Sequence, residues 1–112
     1  MSLSNLPASV TEFLNITKLP TNSKHLFVLN FKAVWCNPCK AMVPHIQYLQ
    51  KEYSNHASFY MIDIEDPELE EYPLHFQIAK VPTFILIKNG NIITSMIGTD
   101  KQKLEDLLND HI

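Results

Sequence analysis

Apolar positions recur along the chain at two spacings, and the alternation between them predicts the elements. Over residues 8–18, Val10, Phe13, Leu14 and Ile16 share one helical face, and Pro7 suits an opening position. Pro20 and Asn22 then interrupt the pattern. Leu26-Phe27-Val28-Leu29 followed by Phe31 is a nearly continuous apolar run, the pattern of a strand buried on both faces. From about Asn37 to Tyr53 the apolar positions Met42, Ile46, Leu49 and Tyr53 return at intervals of three and four, which predicts a second helix. Pro44 lies inside it, where proline removes one backbone hydrogen bond and crowds the preceding turn, so a kink is expected.

Ser58–Ile64 alternates as a strand. Asp66-Pro67 reads as a helix cap and first-turn proline, with Pro73 stopping that helix early. Thr83–Ile87 is a third strand, Asn89-Gly90 is a strong hairpin signal, and 91–97 returns as the second arm. Thr99 to Gln102 has the spacing of a capping box, opening a last helix that turns Leu104, Leu107 and Leu108 inward. Residues 1–6 carry a faint edge-strand pattern. A helix between strands implies a crossover, and the hairpin adds an antiparallel edge, so an α/β fold follows: a central mixed sheet flanked by helices, ending in a β-hairpin plus helix. The 112 residues suit one domain spanning 1–112.

Composition narrows the function. The net charge is −3, and the nine basic residues are all Lys and scattered, so no nucleic-acid partner is expected. The acidic residues between Asp63 and Glu71 read as a solvated helix entrance, and their spacing lacks the glycine turn of a calcium loop. No apolar run approaches the roughly 20 residues of a membrane helix. Met1–Val10 lacks a basic leader region, so a cytoplasmic location without a membrane partner is expected. The two Cys are separated by only two residues, a loop too small to act as a staple.

That pair sits in Val34-Trp35-Cys36-Asn37-Pro38-Cys39-Lys40, where a buried strand gives way to a helix. A helix N-terminus presents unpaired N–H groups and about half a positive charge, and stabilises a nearby thiolate by about 0.3–2 kcal/mol. Since 1.4 kcal/mol is about one pKa unit, the dipole alone lowers a thiol by about one unit. Cysteines at i and i+3 share a face and can bridge. Cys36, nearer the free N–H groups, is the expected nucleophile, and Cys39 the resolving thiol. Asn37 is a candidate cap, and Pro38 stiffens the turn. Zinc would need two further ligands, whereas His25, His45, His56, His75 and His111 are dispersed, so neither metal nor cofactor is expected.

Trp35-Cys36-x-Pro38-Cys39-Lys40 resembles the active site of the thioredoxin family. Pro44 is similar to that family's helix proline, Val81-Pro82-Thr83 to its cis-proline turn, Lys88-Asn89-Gly90 to its hairpin and Ile97-Gly98 to its late glycine. These markers follow in order from about Leu26. The resemblance implies a thioredoxin fold and a protein-disulfide oxidoreductase working through a Cys36–Cys39 disulfide. It also implies a cis Pro82 beside Cys36, and a docking surface of Trp35, Val81, Pro82, Ile97 and Gly98. The partners it implies are protein disulfides and a flavin-dependent thioredoxin reductase or similar dithiol donor, with the chain acting as a monomer. Competing readings are an adaptor module with weak catalysis and a disulfide oxidase or isomerase. A glutaredoxin is disfavoured, because no Gly-Gly follows Val81-Pro82 and the chain has no Arg.

Several residues depart from the family pattern and are expected to modulate the site. Asn30 stands where thioredoxins usually carry a buried Asp, and Met61 where its Lys partner is expected. Asn cannot act as a general base, so slower resolution by Cys39 is expected. Lys32 replaces a common aromatic and places a cation near the site, and Asn37 replaces the usual Gly. Pro38 and Lys40 complete the set that tunes the motif.

Overall fold

The computed structural model describes residue 3 and residues 5–112. The four strands β1 (Leu26–Lys32), β2 (Ala57–Asp63), β3 (Thr83–Lys88) and β4 (Asn91–Ile97) form one sheet in the order β2-β1-β3-β4. β1 and β2 are parallel, while β1–β3 and β3–β4 are antiparallel. The two neighbours of β1 leave it without a free edge, and six of its seven residues are buried, as its continuous apolar run demands.

Residues of β1 alternate between two cores. Leu26 and Val28 join Met42, Ile46 and Leu49 of α2 (Asn37–Glu52) and Leu104 and Leu108 of α4 (Lys101–His111). Phe27, Leu29 and Phe31 join Val10 and Phe13 of α1 (Val10–Thr17) and Tyr72 of α3 (Glu71–His75). Helices therefore cover both faces of the sheet. Leu107, expected to point inward with its neighbours, is only half-buried against the first of these cores.

The hairpin forms as its sequence predicts: Asn89 (φ 51°) and Gly90 (φ 77°) both occupy the left-handed region, the geometry of a type I′ turn. A Cβ on Gly90 would overlap the Lys18 side chain, and the Gly90 N–H donates to Thr17 Oγ1 at 2.9 Å, tying the hairpin to the end of α1.

Four local expectations are corrected. The first helix opens two residues later than its pattern predicts, because Ser9, not Pro7, supplies the boundary: its hydroxyl accepts from the Glu12 N–H at 3.2 Å. Pro73 does not stop a helix. A 3-10 turn, Pro67–Leu69, is capped by Asp66, and α3 then contains Pro73 at its third residue, where the missing N–H would have had no helical acceptor. The last helix is capped by Asp100, whose carboxylate accepts from the Lys103 N–H at 3.0 Å; Gln102 instead donates to Asp106 at 2.9 Å, so Thr99 and Gln102 form no capping box. Of the faint edge strand over 1–6, residues 1, 2 and 4 lie outside the described residues, while Leu3, Asn5 and Leu6 are not in a strand.

Candidate active site

The sheet brings the C-terminal ends of β1 and β2 side by side, with the start of β3 beside them, and the cysteine segment leaves from that edge. After β1 the chain buries Ala33 and turns outward at Val34 and Trp35, each 64% exposed. The Cys36 N–H donates to the Ala33 carbonyl at 3.1 Å, closing the turn, and α2 begins at the next residue. Cys36 itself is the N-cap, in extended conformation (φ −88°, ψ 101°), and its Sγ accepts from the Cys39 N–H at 3.2 Å. Asn37 is thus the first helical residue and not the cap. Sulfur takes over the role that an asparagine oxygen usually plays. Pro38 occupies the second helical position, where a missing N–H removes no helical bond. α2 continues through Pro44.

Cys36 and Cys39 are joined by a disulfide with Cα atoms 5.3 Å apart. Both are 4% exposed and form a small cluster with Ala33, against which Ile64 and Val81 pack. The Val81-Pro82 bond is cis, as the resemblance implies. Pro82 is buried, and its carbonyl accepts from the Gly98 N–H at 2.9 Å. Ile97, paired with Thr83, is 62% exposed beside that turn. Neither Trp35 nor Ile97 is a core residue.

Trp35 and Val81 share an open groove of about 440 Å³ with Ile64, Ile78, Ala79 and Lys80. Ile97 and Gly98 do not line it and form a separate rim beside Pro82. Glu65, which no sequence pattern singled out, holds one groove wall: its carboxylate accepts from Trp35 Nε1 at 3.0 Å. The local signal was slight. Only once β1 and β2 are known to run parallel, with Lys32 opposite Asp63, does Glu65 fall beside the turn carrying Trp35.

Of the remaining modulating residues, Lys32 ends β1 half-buried, and Lys40 is exposed on α2. Asn30 is 3% exposed, flanked in register by Met61 on β2 and Phe84 on β3. Its Oδ1 is buried with no hydrogen-bond donor among the described residues. Among those residues no three His, Cys, Asp or Glu side chains converge as a metal site, and no helix is long and apolar enough to cross a membrane.

The arrangement suits thiol–disulfide exchange: a reversible disulfide at a helix start, an amide aimed at one of its sulfurs, and exposed apolar surface alongside. Residues 9–110 match the Thioredoxin family profile. A thioredoxin of Arabidopsis thaliana is 35% identical over 89 residues, which are 80% of this chain and 73% of that protein. The thioredoxin of Buchnera aphidicola is 32% identical over 99 residues, 88% of this chain and 90% of that one. The crystal structure of a thioredoxin from Nicotiana alata superposes with a TM-score of 0.79 at 28% identity, covering 98% of each chain. By sequence, fold and cysteine geometry together, the chain belongs to the thioredoxin family of thiol–disulfide oxidoreductases.

Proposed function

We propose that Cys36 is the nucleophile and Cys39 the resolving thiol in the reduction of protein disulfides. The observation that carries the assignment is the Cys39 N–H directed at Cys36 Sγ at 3.2 Å. A donor to one sulfur favours negative charge there, and the helix N-terminus adds to it. The Cys36 thiolate attacks a substrate disulfide, forming a mixed disulfide and expelling one substrate thiolate. Cys39 then loses its proton and attacks Cys36 Sγ, which re-forms the Cys36–Cys39 bond and frees the second substrate thiolate. Two electrons pass to the substrate, and a dithiol donor, of which a flavin-dependent reductase is the expected kind, restores them.

Docking falls to the apolar surface around the pair. Trp35 and Val81 offer the groove, and Pro82, Ile97 and Gly98 the adjoining rim. A monomer acting in the cytoplasm fits this reading. Asn37 and Pro38 shape the intervening turn, and Lys32 and Lys40 place cations at its margin.

Insulin reduction in the presence of dithiothreitol tests the roles. Cys36→Ser is expected to abolish turnover, and Cys39→Ser to accumulate covalent substrate adducts sensitive to dithiothreitol. Full activity in the first variant would remove the nucleophile assignment. Asn30 cannot take the Cys39 proton, so no base acts from that position. Asn30→Asp is therefore expected to shorten the life of the mixed disulfide by about tenfold or more, and equal lifetimes would refute this role.

A further inference from the structure

The groove beside the cysteines has a charge that the sequence reading left unused. Of its lining residues, Trp35, Ile64, Ile78, Ala79 and Val81 carry none, and Lys80 alone has an ionisable side chain. The Lys80 backbone is held in place: buried Thr83 donates its hydroxyl to the Lys80 carbonyl at 2.6 Å. The side chain beyond it is exposed. Val81, the next residue, packs on the buried cluster of Ala33, Cys36 and Cys39. A cation thus stands one residue along the chain from a side chain that touches the cysteine pair. Lys32, Lys40 and Glu65 do not line the groove, and the Glu65 carboxylate accepts from Trp35 Nε1.

We propose that Lys80 determines specificity, favouring protein disulfides that carry a carboxylate close in sequence to the attacked cysteine; this rests on the disulfide reduction above. An extended peptide advances about 3.3 Å per residue, so side chains flanking a sulfur bonded to Cys36 lie within reach of a Lys beside Val81. The apolar walls exclude water and lower the local dielectric, which strengthens the attraction between a carboxylate and the ammonium. A neutral side chain gains nothing there, and a basic one is repelled. The chain as a whole has a net charge of −3, so its long-range field does not draw anionic substrates in. The preference therefore arises on contact. A single ion pair with an exposed Lys gives a preference of about two- to fivefold, and salt weakens it.

The test uses disulfide-linked dimers of a short peptide whose cysteine is flanked on both sides by Asp or, in the reference, by Asn. Second-order rate constants for their reduction are measured with the wild type, Lys80→Met and Lys80→Glu. Flanking charge alters a disulfide's own reactivity, so the quantity read is the Asp-to-Asn rate ratio compared between proteins. The wild-type ratio is expected to exceed that of Lys80→Met by about threefold, with Lys80→Glu lower still, and the differences should shrink in about 1 M salt. Equal ratios in the three folded proteins overturn the proposal. A second measurement needs no chemistry: the same peptides with Ser in place of Cys are titrated against the oxidised protein, with Trp35, its single tryptophan, as the fluorescent reporter in the groove. The Asp peptide is expected to bind the wild type about threefold more tightly than the Asn peptide, and Lys80→Met equally. Equal affinities for the wild type also overturn it. Should the wild type reduce neither dimer, the proposed function falls, while the titration still decides the role of Lys80.

Discussion

Trp35 is 64% exposed, and one hydrogen bond, Nε1–H to Glu65 at 3.0 Å, favours its place on the wall of the groove beside the disulfide. An exposed bond of this kind contributes toward the lower end of about 0.5–1.5 kcal/mol. Glu65→Leu is therefore expected to raise KM for a protein disulfide by about 2- to 3-fold. The rate with a small disulfide that needs no docking should stay unchanged, and tryptophan emission should shift. An equal effect on both substrates would mean that Glu65 acts on the cysteines themselves. The cap of α2 shows a limit of reading at this scale. Asn is a favoured cap residue, but Cys36 fills that position because its sulfur is the group within reach of the Cys39 N–H.

Among the elements, the helix ends separate candidates that sequence alone left adjacent. Thr99 and Asp100 both suit a cap, and only Asp100 receives the Lys103 N–H. Asp100→Ala is expected to lower unfolding free energy by about 1 kcal/mol, and Thr99→Ala by less than about 0.5 kcal/mol. Urea denaturation of both variants checks the ordering. The packing of α1 rests on Phe13, which is fully buried and meets Phe27, Tyr60 and Tyr72 edge-on at 5.9, 6.3 and 5.9 Å. Phe13→Ala is expected to cost about 3–5 kcal/mol, read as a lower denaturation midpoint. Because this core lies on the sheet face opposite α2, the same variant should retain insulin reduction wherever it remains folded.

For the whole molecule, the sheet has two poles. The cysteines occupy the one where β1 and β2 end. At the other, His25 precedes β1, its Nε2 lies 2.8 Å from Ser58 Oγ, and its ring meets Phe27 edge-on. Burial, and then the neighbouring His56, push the His25 pKa below its ordinary value. The unfolded chain therefore takes up the proton first as pH falls. Stability from this group is complete above about pH 6.5 and is lost as pH drops toward the lower folded value. Wild-type Tm should fall between pH 7.5 and 5.5, and His25→Asn should flatten that dependence. An unchanged slope would place the acid sensitivity elsewhere.

Much of the fold and of the candidate site was legible because it is local. Helix and strand periods, the Asn89-Gly90 turn and the strand–CxxC–helix order each depend on neighbours within a few residues, which the chain displays directly. Met61 opposite Asn30, Glu65 against Trp35 and Gly98 bonded to Pro82 join residues from 16 to 31 positions apart, and the β1–β3 pairing in the sheet joins residues still more distant. No local period encodes such pairings; they arise when strands choose partners that bury both apolar faces at once. The amino-acid order by itself thus determined the reactive pair and the elements that carry it. Tertiary packing alone decided what surrounds the pair: the walls of the groove and the burial of the Asn30 carbonyl oxygen without a donor among the described residues.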